Sequence, residues 1–307
     1  MRRFRFAVTA SHARDAEGWR GLARRAEALG YASLLVPDHL GTQLSPIAAI
    51  ATAAAVTDRL RIGGFVFAND FRHLLVLARE AATLDLLSNG RLELGLGAGW
   101  RTADYRQLGV SYDAPGRRID RLEEATGLVK RLLRGETVTH AGAHSRLGAA
   151  QVRPRPVQQP HPPILMGGGG PRMLRLAARE ADIVGFIPQF SPRGRPIWTD
   201  VTEGALERKV AVVRDAAGDR FERVELNVLI ADAGMLGGPQ PIPRSVLAAA
   251  KAATAGPIGS PYLLYGTLSA LRDRLLRRRE LTGISYYAIR QGSMGETAPL
   301  VEVLGGR

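Results

Sequence analysis

The chain has 307 residues, no cysteine, 45% hydrophobic and 23% charged residues, a composition that belongs to a globular protein with a large core. Without cysteine there is no disulfide framework, thiolate metal site, iron–sulfur cluster or cysteine nucleophile, so any redox chemistry requires a cofactor. The formal charge of +13 raises the possibility of nucleic-acid binding, but the basic residues are scattered, only Lys130, Lys209 and Lys251 are lysines, and no helix-turn-helix, zinc finger or stacking-aromatic motif accompanies them.

The first residues, Met1 to Val8, are basic, and Arg5 interrupts the apolar run a leader peptide needs. The reading is therefore a cytoplasmic protein with no membrane span and no nucleic-acid partner, whose partner is a small-molecule substrate. Short apolar runs of strand length then recur at Phe4–Val8, Ala32–Val36, Arg61–Phe67, Arg91–Leu96, Pro163–Met166, Ile183–Phe186, Leu226–Ile230 and Ile284–Ile289. Helical patterns separate them: Ala16–Leu29, Pro46–Thr57, Leu74–Leu87, Arg117–Leu133, Arg172–Glu180, Glu203–Ala216, Ser245–Ala253, Ser269–Leu281 and a closing Thr297–Leu304. The dense basic cluster Arg272–Arg279 falls inside one of these, as the solvated face of an amphipathic helix.

Eight alternating strand and helix units predict an α/β fold, an eight-stranded parallel (β/α)8 TIM barrel, because parallel strands require crossover helices and eight close the ring. A doubly wound open sheet is the alternative; against it, Gly95-Leu96-Gly97-Ala98-Gly99-Trp100 has Trp100 where a dinucleotide fingerprint needs its third glycine. The chain is expected to be one domain, 1–307, with insertions near 97–162 and 234–262. The first contains a hairpin at Thr137–Gly142 and an extended proline-rich approach to strand five, and the second is rich in Gly and Pro.

Barrel enzymes keep their chemistry at the strand ends. After strand two stand Asp38 and His39, either a carboxylate beside a proton-transferring imidazole or a helix-capping Asp above a packed histidine. After strand three, Asp70 is expected to cap the next helix. After strand four, Ala98, Gly99 and Trp100 either admit a flat ring against an aromatic wall or meet the needs of tight packing. After strand five, Gly167-Gly168-Gly169-Gly170 leads into Pro171-Arg172-Met173, where backbone N–H groups and a helix N-terminus favour a phosphate. No lysine lies on a predicted strand for Schiff-base chemistry, no His-x-His marks a metal site, and Gly-x-x-x-x-Gly-Lys is absent, so a phosphate-bearing organic cofactor remains.

Four ordered motifs carry a family resemblance: Val36-Pro37-Asp38-His39, the run Ala78–Arg91, Leu94–Trp100, and Gly167–Gly170 with Leu176–Asp182. With these the chain resembles the luciferase-like monooxygenase superfamily, and within it the oxidoreductases that use the deazaflavin coenzyme F420. The resemblance implies hydride transfer between F420 and a small organic substrate. In the FMN-dependent branch it implies a monooxygenase using O2 and a partner flavin reductase, and the other class to weigh is a non-catalytic cofactor-binding protein. A homodimer is also compatible. Residue by residue it implies His39 as the proton-handling group, Asp38 as the acid at the ring, a cis-peptide bulge at Phe65-Val66, and Ala68 where some members place Thr. It also implies backbone contacts from Ala98 and Gly99 and a phosphate site at Gly169, Gly170, Arg172 and Met173. Trp100 stands where the sugar-phosphate dehydrogenases of the family carry Glu, which argues against glucose-6-phosphate as substrate.

Overall fold

The computed structural model describes residues 1–190, 196–235 and 260–307. The predicted helix Ser245–Ala253 lies outside the described residues, as do parts of the loops at 186–200 and 234–262. Eight strands form the ring: β1 (Arg5–Thr9), β2 (Ser33–Val36), β3 (Arg61–Gly64) continued by β4 (Phe67–Ala68), β5 (Leu92–Gly97), β8 (Ile164–Gly168), β9 (Ile183–Phe186), β10 (Glu225–Ile230) and β13 (Tyr286–Arg290). Their order is β3-β2-β1-β13-β10-β9-β8-β5, and β3 also pairs with β5, so the sheet closes as an eight-stranded parallel barrel. Complete burial of β2, β5 and β9 explains their uninterrupted apolar sequences, since strands covered on both faces need no alternation.

The described residues fall into two compact units. Residues 11–24 and 34–166 make the first. In it, α2 (Pro46–Ala55) and α5 (Pro115–Leu133) each start with proline in the first turn, and α3 (Leu74–Leu87) starts after a cap in which His73 accepts from the Leu75 N–H. The expected strand Arg61–Phe67 is divided in two. Gly63 pairs with Glu93 and Phe67 with Leu96, so one extra residue sits on this side of the ladder, and the peptide bond between Phe65 and Val66 in that bulge is cis, as the resemblance implies. The insertion contains the expected hairpin, β6 (Val138–Ala141) and β7 (Arg146–Ala150), and a short helix, α4 (Thr102–Leu108), that periodicity did not reveal. Seven residues are too few to display a hydrophobic repeat.

Residues 1–10, 25–33 and 167–307 make the second unit. Here α6 (Pro171–Glu180) and α7 (Glu203–Ala217) follow β8 and β9, while β11 (Asp232–Met235) and β12 (Leu263–Gly266) form a separate parallel pair. Next come α8 (Leu268–Thr282), which ends at left-handed Gly283, and α9 (Met294–Leu304). Phe4, Phe6 and Tyr287 stack on the helix-facing side of β1 and β13, with the Arg279 guanidinium of α8 over the Phe4 ring.

Candidate functional site

In the first unit, β2 runs straight into Asp38 and His39. The buried Asp38 carboxylate is held from two sides: Arg72 grips it with both guanidinium arms at 2.7 and 3.0 Å, and the Ala68 N–H donates to Oδ2 at 3.0 Å. It therefore does not cap a helix; it ties the end of β2 to β4. His39 is also no passive packing residue. Its Nδ1 lies 2.7 Å from Oδ2 of Asp104, a carboxylate only 1% exposed, and its ring meets the half-exposed Trp100 edge to face at 5.6 Å. With Nδ1 engaged by a carboxylate, Nε2 is the atom left to exchange a proton.

Asp104 is the residue that sequence reasoning missed. It lies on α4 inside an insertion, 65 positions from His39, and no local motif announces it. Its other oxygen accepts from the Leu40 N–H and from Arg101, so the carboxylate is fixed independently of the imidazole.

Asp70 likewise differs from expectation: it sits in the 3-10 turn Asn69–Phe71 and caps nothing, because His73 takes that role. Instead it accepts from the Tyr105 hydroxyl at 2.9 Å and from two nitrogens of Arg121 at 2.9 and 2.7 Å. Burial, reinforced by Asp70, pushes the Tyr105 hydroxyl well above the ordinary tyrosine range, so it stays a donor. The loop after β5 is held by another residue not foreseen, the buried Arg118 of α5. Its Nη1 donates to the carbonyls of Ala98 and Gly99, Nε to the Asp113 carbonyl, and Nη2 to the Tyr112 hydroxyl, over whose ring it stacks. Tyr112 in turn donates to the Trp100 carbonyl. Gly99 has φ +70°, and a side chain there would strike the Tyr105 hydroxyl. Packing thus accounts for this glycine, and for Gly97 against the Val66 side chain, while Ala98, Gly99 and Trp100 together form a braced, side-chain-poor edge beside His39.

In the second unit, the four glycines run from β8 to the N-terminus of α6, with Gly170 as N-cap and Pro171 at the first helical position. None of the four adopts positive φ. They differ in what surrounds them. A Cβ on Gly168 would press on Met173, one on Gly169 would meet the backbone of Ile187, Pro188 and Gln189 within 3 Å, and one on Gly170 would meet nothing within 4 Å. Arg172 is exposed at the helix start and Met173 is buried beneath it. The Ile187–Gln189 backbone is itself anchored by buried Lys209, which donates to the Ile187 carbonyl, to Asp200 and to Tyr262, while Asp200 accepts the Gln189 N–H. Burial pulls the Lys209 ammonium below its usual value, against the opposing pull of Asp200.

Within the second unit, an open helix N-terminus with an arginine in its first turn fits a phosphate; within the first, a braced loop poor in side chains fits a flat ring. No group of metal-ligating side chains is found among the described residues, and no helix among them is long and apolar enough to cross a membrane.

Comparison with known proteins adds four findings. A family model described as luciferase-like monooxygenase matches residues 3–214. An uncharacterized protein of Mycobacterium tuberculosis is 32% identical over 237 residues, covering 67% of this chain and 83% of its own length. The F420-dependent glucose-6-phosphate dehydrogenase of Nakamurella multipartita is 32% identical over 212 residues, 66% of this chain and 60% of its own length. Among solved structures, the coenzyme F420 dependent tetrahydromethanopterin reductase of Methanopyrus kandleri superposes with a TM-score of 0.77 at 16% identity, over 99% of this chain and 100% of that one. At that identity the likeness speaks for the fold.

Proposed function

Because the chain belongs to the luciferase-like monooxygenase family, we propose that it is an oxidoreductase moving hydride between coenzyme F420 and a small organic substrate, with His39 moving the accompanying proton. The observation that carries the chemistry is the His39–Asp104 pair at the end of β2, beside the half-exposed Trp100. The cofactor rests on the relative from Nakamurella multipartita, whose name states F420 dependence.

When bound, the deazaflavin supplies the hydride-accepting or hydride-donating carbon; the protein supplies binding, orientation and proton handling. Asp104 fixes the imidazole and balances its charge when Nε2 takes a proton from a substrate hydroxyl, or returns one in the reverse direction. Arg118 holds the Ala98 and Gly99 carbonyls on its own side, which turns the following N–H groups the opposite way. Asp38 and Arg72 fix Ala68 at the end of β4. In this reading Phe65 and Val66 support the ring, and Gly167, Gly168, Gly169, Gly170, Arg172 and Met173 hold the phosphate.

FMN, which is also flat and phosphate-bearing, suits the same residues and would bring a partner reductase with it. Fluorescence titration of the purified protein with each cofactor separates the two. Saturable F420 binding is the expected result, and tight FMN binding with no response to F420 overturns the reading.

A further inference from the structure

Asn227 of β10 is fully buried, and neither its Oδ1 nor its Nδ2 has a hydrogen-bond partner among the described residues. Buried amides are almost always paired, because leaving both ends unmatched forfeits their hydration. The direction of the side chain follows from register. Arg5, Tyr286, Asn227 and Gly185 pair in sequence across β1, β13, β10 and β9. The neighbouring row is Phe6, Tyr287, Val228 and Phe186; in it Phe6 stacks on Tyr287, and the Arg278 guanidinium of α8 lies over the Tyr287 ring. Asn227 therefore faces the barrel interior, on the same face as the Arg5–Glu225 ion pair.

Beyond Asn227 the row continues with residues that have no side chain. Gly185 pairs with Asn227, and Gly167 stands beside Gly185, where a Cβ would lie 3.6 Å from the Gly185 carbonyl. Gly167 is half-exposed and begins the glycine run, whereas Gly185 and Asn227 are buried. Along this row, then, neither glycine places a side chain between the start of that run and the unmatched amide.

We propose that Gly167, Gly185 and Asn227 form a subsite for a flat group that presents a hydrogen-bond donor beside an acceptor, the –NH–C(=O)– edge of an imide or cyclic amide. An Asn side chain offers the complementary pair, accepting at Oδ1 and donating from Nδ2, and neither glycine contributes a side chain that would compete for it. The inference rests on the oxidoreductase reading only for the source of that edge, which belongs either to the pyrimidinedione of the cofactor or to the substrate.

The test uses the whole protein as wild type, Asn227→Leu and Asn227→Ser, with F420, FMN and uracil titrated separately and melting temperatures recorded. A loss of tenfold or more in F420 or FMN affinity in both variants supports the subsite and assigns it to the cofactor edge. Unchanged cofactor affinity with loss of saturable uracil binding supports it and assigns the edge to the substrate. All affinities within twofold of wild type, or no uracil binding by any form with cofactor affinity unchanged, overturns it, the more so if Asn227→Leu melts higher. If Asn227→Leu does not fold, Asn227→Ser alone decides. Failure of the wild type to bind either cofactor would sink the proposed function instead, and the uracil arm would still decide the subsite.

Discussion

The imidazole of His39 and the carboxylate of Asp104 meet at 2.7 Å across 65 residues of sequence, one from the end of a barrel strand and the other from a helix inside an insertion. The pair has the form of an oriented base: the carboxylate fixes one ring nitrogen and leaves the other for transfer. His39→Ala is expected to lower turnover by ~100-fold while cofactor affinity is kept, because general acid–base help is of that size. Asp104→Asn is expected to lower turnover with cofactor affinity again unchanged, since an amide can donate to Nδ1 and impose the wrong tautomer. Steady-state rates with titrated cofactor read both, and an unchanged rate in His39→Ala removes that residue from the reaction.

Arg118 serves three carbonyls and a hydroxyl from one buried guanidinium. Arg118→Ala is expected to cost about 1–3 kcal/mol of stability, as buried acceptors lose a charged donor. Cofactor affinity should fall with it. Arg118→Lys should recover little, because a single ammonium cannot span that set of acceptors. Denaturant unfolding and fluorescence titration of the two variants measure the effects.

The glycine run separates into positions with different sensitivities. Gly169→Ala is expected to lower the melting temperature, because its Cβ meets the backbone of Ile187, Pro188 and Gln189. Gly170→Ala is expected to leave the melting temperature within a few degrees of wild type, since φ −88° and ψ 150° suit alanine and nothing lies within 4 Å. If phosphate sits on this turn, Gly170→Ala lowers cofactor affinity all the same. An affinity equal to wild type would place the phosphate elsewhere.

The β6–β7 hairpin is pinned to α5 by Glu124, which accepts from His140 at 3.0 Å and from the His144 N–H. Burial opposes ionisation of this carboxyl. The hydrogen bonds from His140 and from the His144 and Ser145 backbone outweigh it and hold the group below the ordinary 4.5. Because the folded value is the lower one, the stabilisation is complete above pH 4.5 and is lost as pH falls through the depressed value. Glu124→Gln should therefore be less stable than wild type at pH 7, and the gap should close in acid. Unfolding curves collected from pH 7 to pH 3 test this.

The eight barrel strands and most helices were legible because each carries its own local signal: an apolar run for a strand covered on both faces, a 3.6-residue stripe for a helix. Asp38 and His39 were legible for the same reason, as polar residues at the end of such a run. What escaped was non-local. Asp104 and Arg118 take their roles from partners 65 and 19–20 positions away, and nothing in their own neighbourhood differs from an ordinary surface helix. Asp70 was misread because an acidic residue ahead of a helix fits a cap, and its partners, Tyr105 and Arg121, lie 35 and 51 positions on. Asn227 sits inside a run that reads as a buried strand, and its chemical interest appears only once both amide atoms are seen to lack partners.

The guanidinium of Arg118 also couples order in two places. It grips the Asp113 carbonyl just ahead of α5 and, in the same plane, the carbonyls of Ala98 and Gly99. The loop after β5 and the first turn of that helix are therefore expected to open together, as one cooperative segment. A ligand that settles on the loop is expected to slow amide hydrogen exchange in a helix it never touches, and a proteolytic nick near residue 113 to loosen the loop even with every loop residue intact.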